Sequence, residues 1–278
     1  MTKKEKALLA CEALEKIYPD VECSLNFTKP YELMIATRLS AQCTDARVNI
    51  VTETLFKKYP TLESFAEADL SELEEVVKPC GFYHTKAKSI KEMANQLIND
   101  FGGEIPQTME ELLTISGIGR KTANLLLGDI YGKPSIVTDT HFIRITGRLG
   151  LTKNTEPKKV EMDLVKLIPP EISSHFCHQV VQFGRDICKA RKPECSQCPC
   201  SEFCQYYSKL KKSEKFTPAL YREKDGIWEG GSTSHFSPVM IFKLWERFSD
   251  SCLEVSESME VNGKRTFGYD EPIIYKRV

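Results

Sequence analysis

Between residues 3 and 186, apolar positions recur at helical spacing with few interruptions. In KKEKALLACEALEKIY (3–18), Ala7, Leu8, Cys11, Leu14 and Ile17 share one face and the charges take the other, which marks an amphipathic helix. The same periodicity predicts helices over 30–42, 44–58, 69–77, 85–101, 109–115, 120–130, 139–148, 157–167 and 173–186. Short Pro, Gly or Asn signals such as KPCG, FGGEIPQ and YGKPS separate them. Strand-like alternation is nearly absent up to residue 216, so an all-α body is expected. Residues 217–278 have a different texture. There GIWEGGSTSHFSP reads as loop, PVMIFKLWERF as a helix or a buried strand, and MEVNGKRTFGY as a short hairpin around Asn262 and Gly263. This tail is treated as a separate unit.

The 278 residues are 41% hydrophobic and 28% charged, which suffices for a real core and for division into two domains. No basic-then-apolar leader opens the chain, and no apolar run approaches the ~20 residues of a membrane helix. A cytoplasmic protein without a membrane partner is expected. The formal net charge of −1 by itself argues against a nucleic-acid partner, since phosphate binding normally leaves a basic footprint, but the charge is unevenly distributed. From Arg185 to Lys215 there are eight Lys and Arg against four Asp and Glu, whereas Glu63 to Glu75 holds six acidic residues and no basic ones. The acidic run reads as a solvated face, and the other stretch gives the molecule a basic end.

Five of the eleven cysteines crowd between Cys188 and Cys204. In a long chain without a secretion leader, that crowding favours metal over disulfides. Cys188, Cys195, Cys198 and Cys204 form C-x6-C-x2-C-x5-C, suited to a tetrahedral zinc or a 4Fe-4S cluster. Lys189, Arg191, Lys192, Pro193 and Pro199 leave this loop little core to offer. Cys200 is an alternative to Cys198 that would change the last two spacings to x4 and x3. The other six, Cys11, Cys23, Cys43, Cys80, Cys177 and Cys252, are scattered and read as small buried hydrophobes.

The segment LLTISGIGRKTANLLL (112–127) sets a tight Ser116-Gly117-Ile118-Gly119 turn between two apolar helices. Gly117 and Gly119 permit the turn and let backbone N–H groups approach a ligand. With the following helix N-terminus they form an anion site suited to a DNA phosphate, and the adjacent Arg120 and Lys121 favour DNA over a turn used only for packing. Lys121 stands in the first helical turn, where the dipole and Arg120 both disfavour its charged form. That makes it a candidate amine nucleophile, with a phosphate-contacting lysine as the alternative. Asp139, where SIVTDTH enters a helix, is a candidate N-cap, and a capping carboxylate can also face a cleft.

Five motifs in order, LSAQCTD (39–45), GFYHTKA (81–87), SGIGRKTAN (116–124), TDTHFIRI (138–145) and the cysteine spacing from 188 to 204, resemble the endonuclease III family. These are bifunctional DNA glycosylases and AP lyases of the helix-hairpin-helix superfamily, and the resemblance covers about residues 1–212. It implies an all-α, two-domain helix-hairpin-helix DNA glycosylase fold with an iron-sulfur cluster loop. The hairpin (about 112–127) would lie in a helical barrel domain, 24–133, and 1–23 with 134–212 would form the cluster domain, leaving 213–278 as an extension of unassigned role. The resemblance further implies 4Fe-4S as the metal, Lys121 as the Schiff-base lysine and Asp139 as the essential aspartate. Gln42 falls on the residue that fills the gap left by an extruded nucleotide, and Phe82 lies in the intercalating loop, where the family often has leucine.

The implied partner is double-stranded DNA carrying a damaged pyrimidine or an abasic site, bound by a monomer associated with the nucleoid. Lys189, Arg191 and Lys192 on the ordered cysteine loop would contact phosphates. Thr138 stands where the family usually has valine, and Cys43 where alanine is more usual. The related adenine glycosylases would carry serine in place of Lys121 and glutamate in place of Thr37. A non-catalytic DNA-binding or electron-transfer protein on the same fold would not need both Lys121 and Asp139.

Overall fold

The computed structural model describes residues 1–214 and, beyond them, six short strand segments. Helix α1 (Lys3–Ile17) opens with a reciprocal cap, Thr2 Oγ1 accepting from the Glu5 amide while Glu5 Oε2 accepts from the Thr2 amide. Then come α2 (Pro30–Ser40), α3 (Asp45–Lys58), α4 (Leu62–Glu67), α5 (Leu70–Val77), a 3-10 turn (Lys78–Cys80) and α6 (Tyr83–Phe101). The hairpin joins α7 (Met109–Leu112) to α8 (Arg120–Tyr131), and α9 (Thr140–Leu149), α10 (Pro157–Leu164), a 3-10 turn (Pro170–Ile172), α11 (Ser173–Asp186) and α12 (Gln205–Glu214) follow. No helix among the described residues is long and apolar enough to cross a membrane.

The helical periodicity is realised, with local departures. The segment expected over 30–42 stops at Ser40 because Gln42 adopts φ 55°, outside the right-handed helical region. The one expected over 109–115 shortens to a single turn as Thr114 and Ile115 donate to carbonyls three residues back, Glu111 and Leu112. The end of 157–167 tightens in the same way, Leu167 donating to Leu164. Helix α4 escaped the periodicity reading because it is six residues long, but Thr61 and Ser64 cap each other and Leu62 and Phe65 are buried. Helix α12, rich in lysine, was not expected either.

One core cluster draws its residues from Leu25 to Leu127, on α2 through α8 and their connections. Phe65 is fully buried at its centre, with Tyr31, Phe56 and Tyr59 around it. Outside that cluster, buried apolar residues come from α1 (Ala7, Ala10, Cys11, Leu14) and from later segments, including Phe142, Ile145, Leu149, Phe176, Val180 and Phe183. The N-terminal helix thus packs on α11 rather than on its sequence neighbours. Gly184 permits the close approach of α11 to α9, since a side chain there would overlap His141, Arg144 and Ile145.

Met1–Cys204 forms one compact unit and Gln205–Val278 another. In the second, β1 (Leu220–Lys224), β2 (Ile227–Gly231), β3 (Cys252–Glu254) and β6 (Ile273–Lys276) make an antiparallel sheet in the order β2-β1-β6-β3. The loop expected for GIWEGGSTSHFSP is therefore corrected at its start. Ile227–Gly231 pairs along its length with β1, so ladder bonding and the β-forming Ile227 and Trp228 outweigh the glycine-rich texture. The hairpin reading agrees with the pairing of β4 (Glu260–Val261) and β5 (Lys264–Arg265), although its Asn262-Gly263 turn lies outside the described residues. PVMIFKLWERF also lies outside them.

Candidate active site

The hairpin between α7 and α8 is pinned to α6. Gln96 accepts from the Ser116 amide and donates to the Thr114 carbonyl, and Ser116 Oγ donates to Glu92. Gly117 takes φ 81°, and a side chain there would overlap Ser89 Oγ, which is held by Arg38 Nε at 3.0 Å. Gly119 is different: it is an extended N-cap residue with open space where a Cβ would stand. Gly117 is thus demanded by the fold, whereas the opening at Gly119 leaves room for a ligand beside the first amides of α8.

Lys121 is exposed in the first turn of α8. Its neighbour Arg120 departs from the role drawn from sequence. Arg120 binds Glu161 through two hydrogen bonds of 2.7 Å, and Glu161 is only 5% exposed. A buried carboxylate needs such a partner, so Arg120 ties α8 to α10 and its charge is compensated. It does not face Lys121 as a bare cation, and two of its donors are already committed.

Asp139 caps α9, Oδ1 accepting from the Phe142 amide at 2.6 Å, and is only partly buried. Lys121 and Asp139 line the same cleft of about 760 Å³. Gln42, Asp45 and Thr37 line it from the α2–α3 side, and His141, His178 and Arg185 from α9 and α11. Arg185 meets Asp45 at 2.8 Å, and Ser24 Oγ donates to the same carboxylate oxygen, bracing two walls of the cleft. Below, Asp129 accepts from Ser174 and sits 2.8 Å from His178 Nε2. Burial draws the His141 pKa below its ordinary value, with Arg144, Arg185 and Lys121 adding to the effect against Asp139. The shift favours the neutral imidazole. Sequence reasoning assigned no role to Asp45, His141, His178 or Arg185. Asp45 and His141 do stand inside the quoted motifs LSAQCTD and TDTHFIRI.

Gln42 and Phe82 are the two non-glycine residues with positive φ among the described residues, at 55° and 48°. Each such backbone costs about 1–2 kcal/mol and persists only where its surroundings impose it. Phe82 is also 66% exposed, an unusual position for a large apolar ring. Gln42 lines the cleft; Phe82 stands just before α6, whose N-cap it forms without a side-chain bond.

The cysteine loop hangs from α9. Arg144 donates to the Gly184 and Cys188 carbonyls, while Arg148 donates to the carbonyls of Cys188, Lys189 and Ala190 and to Cys188 Sγ at 3.3 Å. Burial raises the Cys195 pKa, and the neighbouring Cys188, Cys198 and Cys204 raise it further, so the four sulfurs share one electrostatic neighbourhood. A hydrogen bond from Cys200 lowers Cys198 to about 7. Cys200 itself is fully buried and its pKa is raised, first by that same bond. Four clustered thiols with an arginine donating to one of them suit a group that takes thiolate ligands. No three potential ligands among the described residues converge tightly enough for a single metal ion. Lys189 is paired with Glu194 at 2.6 Å, whereas Arg191 and Lys192 are exposed.

Residues 35–170 match the model for the HhH-GPD superfamily base excision DNA repair protein. The chain is 45% identical over 204 residues to endonuclease III of Synechocystis sp. (strain ATCC 27184 / PCC 6803 / Kazusa), covering 73% of this chain and 93% of that protein. It is 42% identical over 196 residues to endonuclease III of Bacillus subtilis (strain 168), covering 69% and 90%. Among solved structures, a trapped endonuclease III–DNA covalent intermediate superposes with a TM-score of 0.71 at 40% identity, covering 76% of this chain and 99% of that one.

The two hairpin glycines should separate in stability measurements. Gly117→Ala, forced to positive φ against Ser89, should lower unfolding free energy by about 1–3 kcal/mol, whereas Gly119→Ala should cost under about 1 kcal/mol. Denaturant midpoints check this; equal losses would contradict the assignment.

Proposed function

The chain belongs to the endonuclease III family of base-excision-repair DNA glycosylases and AP lyases, and we propose that Lys121 is its nucleophile and Asp139 the carboxylate that works beside it. The observation that carries this reading is the convergence of that amine and that carboxylate, from the N-termini of α8 and α9, on one cleft. At about 760 Å³ the cleft falls in the range of sites that enclose a small organic ligand, here an extruded nucleotide. A damaged base stacks and pairs weakly, so extruding it costs less than extruding an intact one.

In this reading the neutral amine of Lys121 attacks C1′ as the glycosidic bond breaks, and the electron pair leaves with the base. Asp139, with one oxygen held by the helix cap, uses the other to stabilise positive charge on the sugar or to manage the proton. Ring opening gives a Lys121 iminium, which acidifies the C2′ proton. Loss of that proton expels the 3′ phosphate by β-elimination, and water then releases the amine. The substrates are duplexes with oxidised or ring-saturated pyrimidines, and abasic sites. The open backbone at Gly119, next to the tight turn that Gly117 makes, supports phosphate binding there, and the exposed Arg191 and Lys192 support it on the cysteine loop. Gln42 and Phe82 enter the stack where the nucleotide leaves.

Cys188, Cys195, Cys198 and Cys204 hold a 4Fe-4S cluster in this reading, and their shared neighbourhood and the Arg148 donor at Cys188 support the fit. When bound, it supplies cross-linking order to the loop. Lys189, occupied by Glu194, contributes less to phosphate contact than Arg191 or Lys192.

Asp139→Asn preserves the cap, since asparagine and aspartate cap helices about equally, so its effect reads chemistry. It should lower single-turnover cleavage of an oxidised-pyrimidine duplex by about 10²–10⁴-fold without lowering Tm. Lys121→Ala should lose at least about 10³-fold. Full activity in either variant refutes the assignment, and cleavage of abasic sites alone by wild type removes the glycosylase half. Cys198→Ser should lose the brown visible absorbance of the purified protein, and Cys200→Ser should keep it. The reverse pattern would make Cys200 the ligand.

A further inference from the structure

Lys86 is 2% exposed, yet carries an amine that takes no part in the chemistry above. Its Nζ donates to the Leu39 carbonyl at 2.8 Å and to the Cys80 carbonyl at 2.8 Å. Its own amide donates to the Phe82 carbonyl at 3.0 Å. Leu39 lies in the last turn of α2, three residues before Gln42, and Cys80 ends the 3-10 turn two residues before Phe82. One buried side chain therefore joins the two turns that carry the two positive-φ, exposed residues. The two turns are far apart in sequence, and Cys43 and Cys80, which come from one turn each, are near enough for Cys43 to help raise the Cys80 pKa, after burial. A methylene chain would fill the same space; burying an amine there is costly unless its hydrogen bonds do something that packing cannot.

We propose that Lys86 is a positioning residue that sets the spacing and backbone conformation of the Gln42 and Phe82 turns as one unit, so that both side chains enter the duplex together when a nucleotide is extruded. The proposal rests on the reading that Gln42 and Phe82 are inserted. Lys86 touches neither substrate nor Lys121; its side chain acts through the Leu39 and Cys80 carbonyls. Its contribution is confined to opening a duplex and is not needed where the sugar is already accessible.

The test compares an abasic site in duplex DNA with the same site in a single-stranded oligonucleotide, using Lys86→Met, Lys86→Arg and the double variant Gln42→Ala/Phe82→Ala. Lys86→Met should lose about 10–100-fold in kcat/KM on duplex, at least about tenfold more than it loses on the single strand. Lys86→Arg, which retains donors for the carbonyls, should recover part of the duplex rate. In the Gln42→Ala/Phe82→Ala background, Lys86→Met should add little, because its effect runs through those residues. Equal losses on both substrates, or no loss on either, overturn the proposal. If Gln42→Ala/Phe82→Ala itself shows no duplex-specific loss, the insertion reading fails first, and the Lys86 proposal falls with it. Should Lys86→Met not fold, hydrogen exchange of the wild type decides: amides of 40–44 and 80–84 should open with one common free energy, and clearly different values contradict the coupling.

Discussion

The hydrogen bond from the Phe142 amide to Asp139 Oδ1 fixes where α9 begins, and much of the site is built outward from that point. It holds the carboxylate at the cleft and starts a helix whose inner face buries Phe142, Ile145, Thr146 and Leu149. That face meets α11 closely because Gly184 has no side chain. The far end of the same helix supplies Arg148, and Arg144 lies between, so ten residues connect the chemistry to the cysteine loop. A helix that began one residue later would rotate Asp139 off the cleft and move the arginines away from the carbonyls they hold.

The cleft is also an electrostatic construction. Two helix N-termini, of α8 and α9, open onto it with their positive dipole ends, α8 without a side-chain cap and α9 capped by Asp139. Such a place favours a phosphate and a carboxylate, and it is a poor place for accumulated positive charge. The remaining charges are arranged accordingly. Arg120 is drawn to Glu161, Arg185 to Asp45, and His141 is shifted toward its neutral form chiefly by burial. Lys121 is thereby left as the amine facing the cleft from α8.

Helical periodicity exposed most of the first unit because one face of nearly every helix is buried, and the motif residues stood on the page as types: a lysine after GxG, a capping aspartate, four cysteines. What stayed hidden depends on partners distant in the chain. Nothing near Arg120 announces that Glu161, 41 residues on, will claim its guanidinium. Likewise, Lys189 reads as available for phosphate until its pairing with Glu194 is seen, and nothing inside GFYHTKA signals that Lys86 is buried against two carbonyls. Helix α4 was too short to display a period, and the strand at Ile227 depended on its ladder partner.

The central claim, that Lys121 is the nucleophile, is tested most directly by locating the covalent bond. Wild-type protein is incubated with an abasic-site duplex in the presence of borohydride, which reduces the iminium to a stable amine, and the adduct is digested and sequenced by mass spectrometry. The account predicts a single modified peptide with the sugar remnant on Nζ of Lys121. Modification at any other amine, with Lys121 unmodified, would contradict it.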